Sequence, residues 1–99
     1  ILAVAALDGD NRKAAFSNYG SEIAVSAPGV EVVSTFWNGQ YASWSGTSFA
    51  AAIVTGEAAL LRQLAPRADA DTVSGWIEES SRNVDAQNPE YAGKLGKGE

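Results

Sequence analysis

The chain has 99 residues, of which 45% are hydrophobic and 9% aromatic, a composition typical of one small globular domain. Its net charge is −5 and its seven basic residues are scattered, which excludes the basic patch that nucleic-acid binding requires. The absence of cysteine excludes disulfides. The apolar run at Ile1–Leu7 is too short to span a membrane and lacks the flanks of a signal peptide. Nothing in the sequence assigns a cellular location.

The first part of the chain predicts two short strands. Ile1–Leu7 is a continuous apolar run closed by Asp8-Gly9-Asp10-Asn11, a pattern typical of a parallel strand that is buried on both faces and followed by a loop. Glu22–Val25 predicts a second strand, which ends at Ala27-Pro28-Gly29 because proline removes a backbone donor and glycine permits a turn.

An antiparallel hairpin comes next. Val30–Phe36 and Gln40–Trp44 are rich in β-branched and aromatic residues and flank Asn38-Gly39, a strong hairpin signal because both residues tolerate positive φ. The second arm runs directly into Ser45-Gly46-Thr47-Ser48.

Two helices follow the hairpin. Phe49–Leu64 is apolar nearly all round, which predicts a helix of a protein interior, ended by Pro66. In the isolated chain we expect one face of this helix to lie uncovered and to favour association. Ala70–Ser80 predicts a second helix with Asp69 as N-cap and an apolar stripe of Val73, Trp76 and Ile77. The rest, Asn83–Glu99, is interpreted as loop.

Gly46-Thr47-Ser48 is the candidate site. A serine nucleophile needs a base to take its proton and donors that hold the oxyanion, and the amides and dipole of a helix N-terminus favour negative charge nearby. Gly46 permits close approach of a substrate to the backbone. The alternative is that Thr47 or Ser48 simply caps the helix.

The motifs resemble those of the subtilisin-like serine peptidases in order and spacing, from about Ile1 to Gly98. Those motifs are Phe16-Ser17-Asn18-Tyr19-Gly20, Ser26-Ala27-Pro28-Gly29, Asn38-Gly39, Gly46-Thr47-Ser48-Phe49-Ala50 and Val54-Thr55-Gly56. The resemblance implies an incomplete three-layer α/β fold with a mostly parallel sheet and a hairpin leading into a buried helix. Residues 1–99 would be the C-terminal portion of the peptidase domain, truncated at both ends.

The resemblance also implies roles for individual residues. Ser48 stands at the nucleophile's position and its amide at that of an oxyanion donor, while Thr47 and Gly46 support the oxyanion hole. Trp44 would border the leaving-group side of the substrate cleft; the alternative is that it packs on the core. Ser45, where relatives often carry asparagine, would hydrogen-bond the substrate backbone or cap locally.

The aspartate, histidine and asparagine that complete the family's site are not found here, and the chain has no histidine at all. Asp8 and Asp10 are interpreted as a solvated turn rather than as replacements. We therefore expect a serine endopeptidase that hydrolyses proteins or peptides through an acyl-enzyme on Ser48 once the N-terminal part of the domain is present, with the isolated chain inactive. The alternatives are a non-catalytic relative that binds peptides or a protein partner, and an unrelated structural α/β domain.

Two departures from the family pattern bear on this interpretation. Ala52 stands where relatives usually carry a proline in the first turn of the helix, a change that is sterically harmless. Ala24 stands where some relatives have an aspartate near a weak cation site. The acidic residues show no spacing typical of a calcium loop, so we expect neither a metal nor another cofactor.

Overall fold

The computed structural model describes all residues, 1–99. It contains four strands, two helices and three short 3-10 turns. In chain order these are β1 (Val4–Leu7), β2 (Val25–Pro28), β3 (Val32–Phe36), a turn at Trp37–Gly39, β4 (Gln40–Trp44), α1 (Thr47–Leu64), α2 (Ala70–Ser80) and turns at Asp85–Gln87 and Pro89–Tyr91. The α/β class predicted from the sequence is confirmed. No helix is long and apolar enough to cross a membrane.

Strands β1 and β2 form a parallel pair, in the register Val4 to Val25 through Leu7 to Pro28. The strand predicted at Ile1–Leu7 is confirmed from Val4 on, and its predicted burial from Ala5 on, where three residues are completely buried. The first part of the prediction is wrong, since Ile1 is fully exposed and lies outside the strand. The predicted position of β2 is wrong: the strand begins at Val25 and includes Pro28. Proline is tolerated there because the amide of Gly29, not of Pro28, donates to the Leu7 carbonyl at 2.9 Å.

The predicted hairpin is confirmed. Strands β3 and β4 pair antiparallel from Val32 opposite Trp44 to Phe36 opposite Gln40. The three-residue turn between them holds Asn38 at φ 63° and Gly39 at φ 71°. Both angles lie in the left-handed region that asparagine and glycine adopt most easily, which is why this dipeptide fixes the turn.

Helix α1 packs against β1, β2 and α2 along one side only. Ala50 and Val54 are its buried residues, whereas Leu60 and Leu64 are 65% and 85% exposed. Within these 99 residues only one face of the helix is covered, because the two strands and α2 all lie on the same side of it. The expected uncovered apolar face is present.

Helix α2 spans Ala70–Ser80, the predicted range. Its N-cap is Asp69, whose Oδ1 accepts the Thr72 amide at 2.8 Å. Val73 and Ile77 are buried as predicted, but Trp76 is 39% exposed and is not a core residue. The contacts of α2 with α1 and the sheet cover Val73 and Ile77 and leave Trp76 partly exposed.

The cap at Asp69 makes the stability of α2 depend on pH. The Thr72 backbone amide, with smaller contributions from the Thr72 hydroxyl and Arg62, lowers the pKa of Asp69. Because the pKa is lower in the folded chain, the stabilisation is complete above the unfolded pKa of about 3.9 and is lost as pH falls through the folded value. We expect the difference in unfolding free energy between wild type and Asp69→Asn to be constant near neutral pH. Below pH about 4, wild type should lose stability relative to Asp69→Asn, as measured by urea unfolding. A pH-independent difference would contradict this assignment.

The core lies on both faces of the β1–β2 pair. On one face Ala6, Val25 and Ala27 pack against α1 and α2. On the other, Ala5 and Leu7 pack against Val84 and Leu95 of the C-terminal segment. This alternation follows from the period of two along a strand. The segment Asn83–Glu99 is irregular, as predicted, yet it forms a layer of the core.

Candidate active site

The site begins where the two parallel strands end. β1 ends at Leu7 and β2 at Pro28, so their carboxyl ends meet at one edge of the pair. Gly29 follows β2 and is bound to the Leu7 carbonyl. Loops that leave this edge of a parallel sheet are where α/β proteins usually place their ligands.

Gly29 joins the strand ends to the start of α1. Its carbonyl accepts the Gly46 amide at 2.8 Å. A Cβ at position 29 would lie 2.6 Å from the Ala6 Cβ, 3.0 Å from the Gly46 carbonyl oxygen and 3.4 Å from the Ala50 Cβ. The close approach of strand and helix therefore requires glycine at this position. The sequence interpretation treated Gly29 only as a turn residue and missed this contact.

Ser48 lies in the first turn of α1, where amides have no intrahelical acceptor and the helix dipole is positive. The side chain of Ser48 is exposed and that of Thr47 is half-buried. The N-cap of α1 is Gly46, and no side chain caps the helix. The helix-cap alternative for Thr47 and Ser48 is therefore wrong. The structure presents the Ser48 hydroxyl to solvent at a helix N-terminus.

Gly46, unlike Gly29, has room for a Cβ atom. The nearest atoms to a Cβ built at this position are those of the Phe49 ring, at 3.5 Å, and the Ser48 amide nitrogen, at 3.9 Å. Both separations are ordinary van der Waals contacts. A Cβ at position 46 would therefore fit without a clash, unlike one at position 29.

Trp44 ends the hairpin and is 54% exposed. Its ring centroid lies 6.3 Å from that of Phe36, which in turn lies 6.2 Å from Trp37 in an edge contact. The alternative that Trp44 packs on the core is wrong, since its aromatic neighbour is on the hairpin surface. Phe36 was missed in the sequence; the signal was the strand pairing, which places positions 36 and 44 on the same face of the hairpin.

Ser45 fastens the base of the hairpin. Its Oγ accepts the Glu31 amide at 2.9 Å, and Glu31 has φ 52°, a left-handed conformation that is unusual for glutamate. This bond is neither a helix cap nor a bond to substrate, the two roles considered for Ser45 from the sequence. This bond joins the residue before β3 to the residue after β4 and so closes the base of the hairpin.

The acidic residues after β1 form a turn, as predicted. The Asp8 Oδ1 accepts the amides of Asp10 and Arg12 at 2.9 Å and 3.0 Å. No three acidic side chains in the chain come together in an arrangement that could hold a metal ion.

Comparison with known proteins identifies the class to which this fold and site belong. The model of the Subtilase family matches residues 1–98. The chain belongs to the subtilase family.

Relatives and solved structures agree with this assignment. The chain is 50% identical over 66 residues to a thermostable alkaline protease of Halalkalibacterium halodurans, covering 67% of this chain and 18% of that protein. It is 38% identical over 84 residues to Subtilisin DY of Bacillus licheniformis, covering 85% of this chain and 31% of that protein.

Two solved structures superimpose on nearly the whole chain. A cold-adapted subtilisin-like serine proteinase matches with a TM-score of 0.85 and 28% identity, over 98% of this chain and 35% of the other. A protease of Pseudoalteromonas arctica matches with a TM-score of 0.85 and 30% identity, over 99% and 32%. The subtilisin-like fold is confirmed, and the chain spans about a third of the length of these proteins.

Proposed function

We propose that these residues are the nucleophile-bearing part of a subtilisin-like serine endopeptidase. The observation that carries the proposal is the position of Ser48: exposed, in the first turn of α1, and free of any capping role. Membership of the subtilase family, together with relatives described as proteases, supports the same function.

In the proposed reaction, a base takes the proton of the Ser48 hydroxyl while its Oγ attacks the carbonyl carbon of a peptide bond. The C–N bond then breaks, the amine takes that proton and leaves, and an acyl-enzyme remains. Water attacks the ester, which releases the carboxylic acid and returns the proton to Ser48. The backbone amide of Ser48 donates to the oxyanion, and the positive end of α1 stabilises the same charge. Thr47 supports this donor. Trp44 borders the side on which the leaving group departs, and Phe36 extends that wall.

The base must come from outside these residues, since the chain has no histidine. We propose that the rest of the peptidase domain supplies a histidine, an aspartate and an oxyanion asparagine, as the resemblance implies. The same part of the domain would cover the exposed side of α1, including Leu60 and Leu64. The isolated chain is expected to be inactive and to self-associate through that apolar surface.

A serine-directed fluorophosphonate probe tests the proposal. The full-length protein is incubated with the probe, digested and mapped by mass spectrometry. We expect the label on Ser48 and none on the nearby Ser43 or Ser45. A folded full-length protein that leaves Ser48 unlabelled, yet binds peptides, would instead favour the non-catalytic binding function.

A further inference from the structure

The ammonium group of Lys13 lies against a pair of tyrosine rings. The Lys13 Nζ is 4.8 Å from the ring centroid of Tyr91 and 5.3 Å from that of Tyr19. The two rings contact each other edge to face, with centroids 4.7 Å apart. An ammonium group at such distances is attracted to the faces of aromatic rings. We call Tyr19 and Tyr91 the tyrosine cage.

Backbone carbonyls complete the surroundings of this ammonium group. The Lys13 Nζ donates to the carbonyl oxygen of Ala14 at 2.7 Å and to that of Ser17 at 3.0 Å. An ammonium group has three donors, and two are used here. The Lys13 side chain is half-buried, so solvent screens these contacts less than at an exposed site.

The contacts of Lys13 join two distant parts of the chain. Tyr19 belongs to the loop 8–20 that follows β1, and Tyr91 to the C-terminal segment. The Gly20 amide donates to the Lys94 carbonyl at 2.9 Å across the same junction.

Buried Asn88 makes a second set of bonds between these parts. Its Oδ1 accepts the Lys13 amide at 2.6 Å, and its Nδ2 donates to the Asn11 carbonyl at 2.8 Å and the Val84 carbonyl at 2.9 Å. All three bonds involve the Asn88 side chain, which is only 4% exposed.

The loop in turn is bonded to β1. The Ala6 amide donates to the Ser17 Oγ, and the Ala14 amide donates to the Ala6 carbonyl, both at 2.9 Å. The position of loop 8–20 therefore fixes the hydrogen bonding of Ala6, the residue that Gly29 approaches on its other side.

We propose that the tyrosine cage and the carbonyls of Ala14 and Ser17 form a binding site for a primary ammonium group, which Lys13 fills from within the chain. Occupation of this site locks loop 8–20 against the Asn88–Lys94 segment. The proposal does not depend on peptidase activity. It assigns a role to a charged side chain that the candidate active site does not use.

Amide hydrogen exchange in the full-length protein tests whether Lys13 holds loop 8–20 against the Asn88–Lys94 segment. Lys13→Met keeps most of the aliphatic stem but removes the charge, and we expect exchange of the Gly20 amide to quicken about tenfold or more. Tyr19→Leu and Tyr91→Leu are expected to act in the same direction, whereas Tyr19→Phe and Tyr91→Phe, which keep the rings, are not. Tyr41→Leu on the exposed hairpin is the matched control and is expected to leave this amide unchanged.

Chemical rescue tests the ligand class. Lys13→Ala removes three methylene groups and the ammonium group, which together correspond to propylammonium. We expect propylammonium to restore slow exchange at Gly20 in a saturable manner, and 1-propanol, which has a similar shape without the charge, not to do so. Equal rescue by both compounds would show that the site requires only the volume of the side chain and not its charge. A Gly20 exchange rate in Lys13→Met equal to that of wild type would show that the ammonium group does not stabilise the position of the loop. Either result overturns the proposal.

The wild-type protein gives an independent check that no loss of folding can obscure. With an amine-acylating reagent, we expect Lys13 to react at least about tenfold more slowly than exposed Lys97, because its ammonium is hydrogen-bonded to two carbonyls and lies against the two rings. In denaturant the two lysines should react alike. Equal rates in the folded protein would contradict an occupied site.

Discussion

Ser48→Ala is expected to abolish proteolysis by the full-length protein. The variant keeps the helix N-terminus and the oxyanion donor but has no atom that can form the acyl-enzyme. For subtilisin itself, a member of this family, loss of the nucleophile lowers kcat on the order of 10⁶-fold, and we expect a loss on that scale here. The measurement is hydrolysis of an unstructured protein substrate under conditions in which kcat is resolved.

Ser43→Ala is the matched control for this variant. Ser43 is an exposed residue of β4, opposite Val33, and its hydroxyl has no assigned role. We expect the activity of Ser43→Ala to lie within a few fold of wild type. The variant should remain folded, because substitutions of exposed residues rarely change stability by more than about 0.5 kcal/mol. Substantial proteolysis by a folded Ser48→Ala protein would refute the role given to Ser48.

Gly29→Ala is expected to destabilise the junction between the strands and α1. The added carbon would lie 2.6 Å from the Ala6 Cβ and 3.0 Å from the Gly46 carbonyl oxygen, distances at which one partner must move. Forcing one methyl into a packed junction costs about 1–3 kcal/mol. One of the two crowded partners, Gly46, directly precedes Thr47 and Ser48, so we expect probe labelling of Ser48 to fall as well.

Gly75→Ala provides the control for that substitution. Gly75 lies inside α2 and has no atom within 4 Å of its Cβ position, so alanine fits without contact. We expect a gain of about 0.5–1 kcal/mol, because alanine restricts the unfolded chain and favours the helix. Denaturant unfolding of both variants decides the point: a stable Gly29→Ala protein would mean that strand and helix are not held by this contact.

Local signals in the sequence predicted local structure well. Asn38-Gly39 correctly predicted the hairpin because the turn needs two residues in the left-handed region. Asp69 correctly predicted the start of α2 because its carboxylate caps the helix. The presentation of Ser48 at the start of α1 was also predictable, since the hairpin runs straight into an apolar helical segment.

Features that depend on distant partners were not predictable in the same way. The position of β2 was wrong because its pairing with β1, and not the proline signal, decides where the strand lies. Trp76 belongs to an apolar helical pattern, but the chain covers it only in part and leaves 39% of it exposed. The periodicity of a helical sequence predicts which face is apolar, but not how much of that face other elements cover.

The junction at Gly29 and the Lys13 site were missed for a related reason. A glycine after Ala27-Pro28 has the pattern of a turn, and only the packed structure shows the Ala6 and Gly46 atoms that exclude a side chain there. Lys13 and Tyr91 lie far apart in the sequence, so no local pattern indicates that they meet.

Detection of the acyl-enzyme tests the central proposal most directly. The full-length protein is mixed with an ester substrate that deacylates slowly, quenched in acid during the burst and mapped by mass spectrometry. We predict a transient acyl adduct on Ser48 that disappears as turnover proceeds and is absent in Ser48→Ala. Turnover without an adduct on Ser48, or with the adduct on another residue, would contradict the assignment.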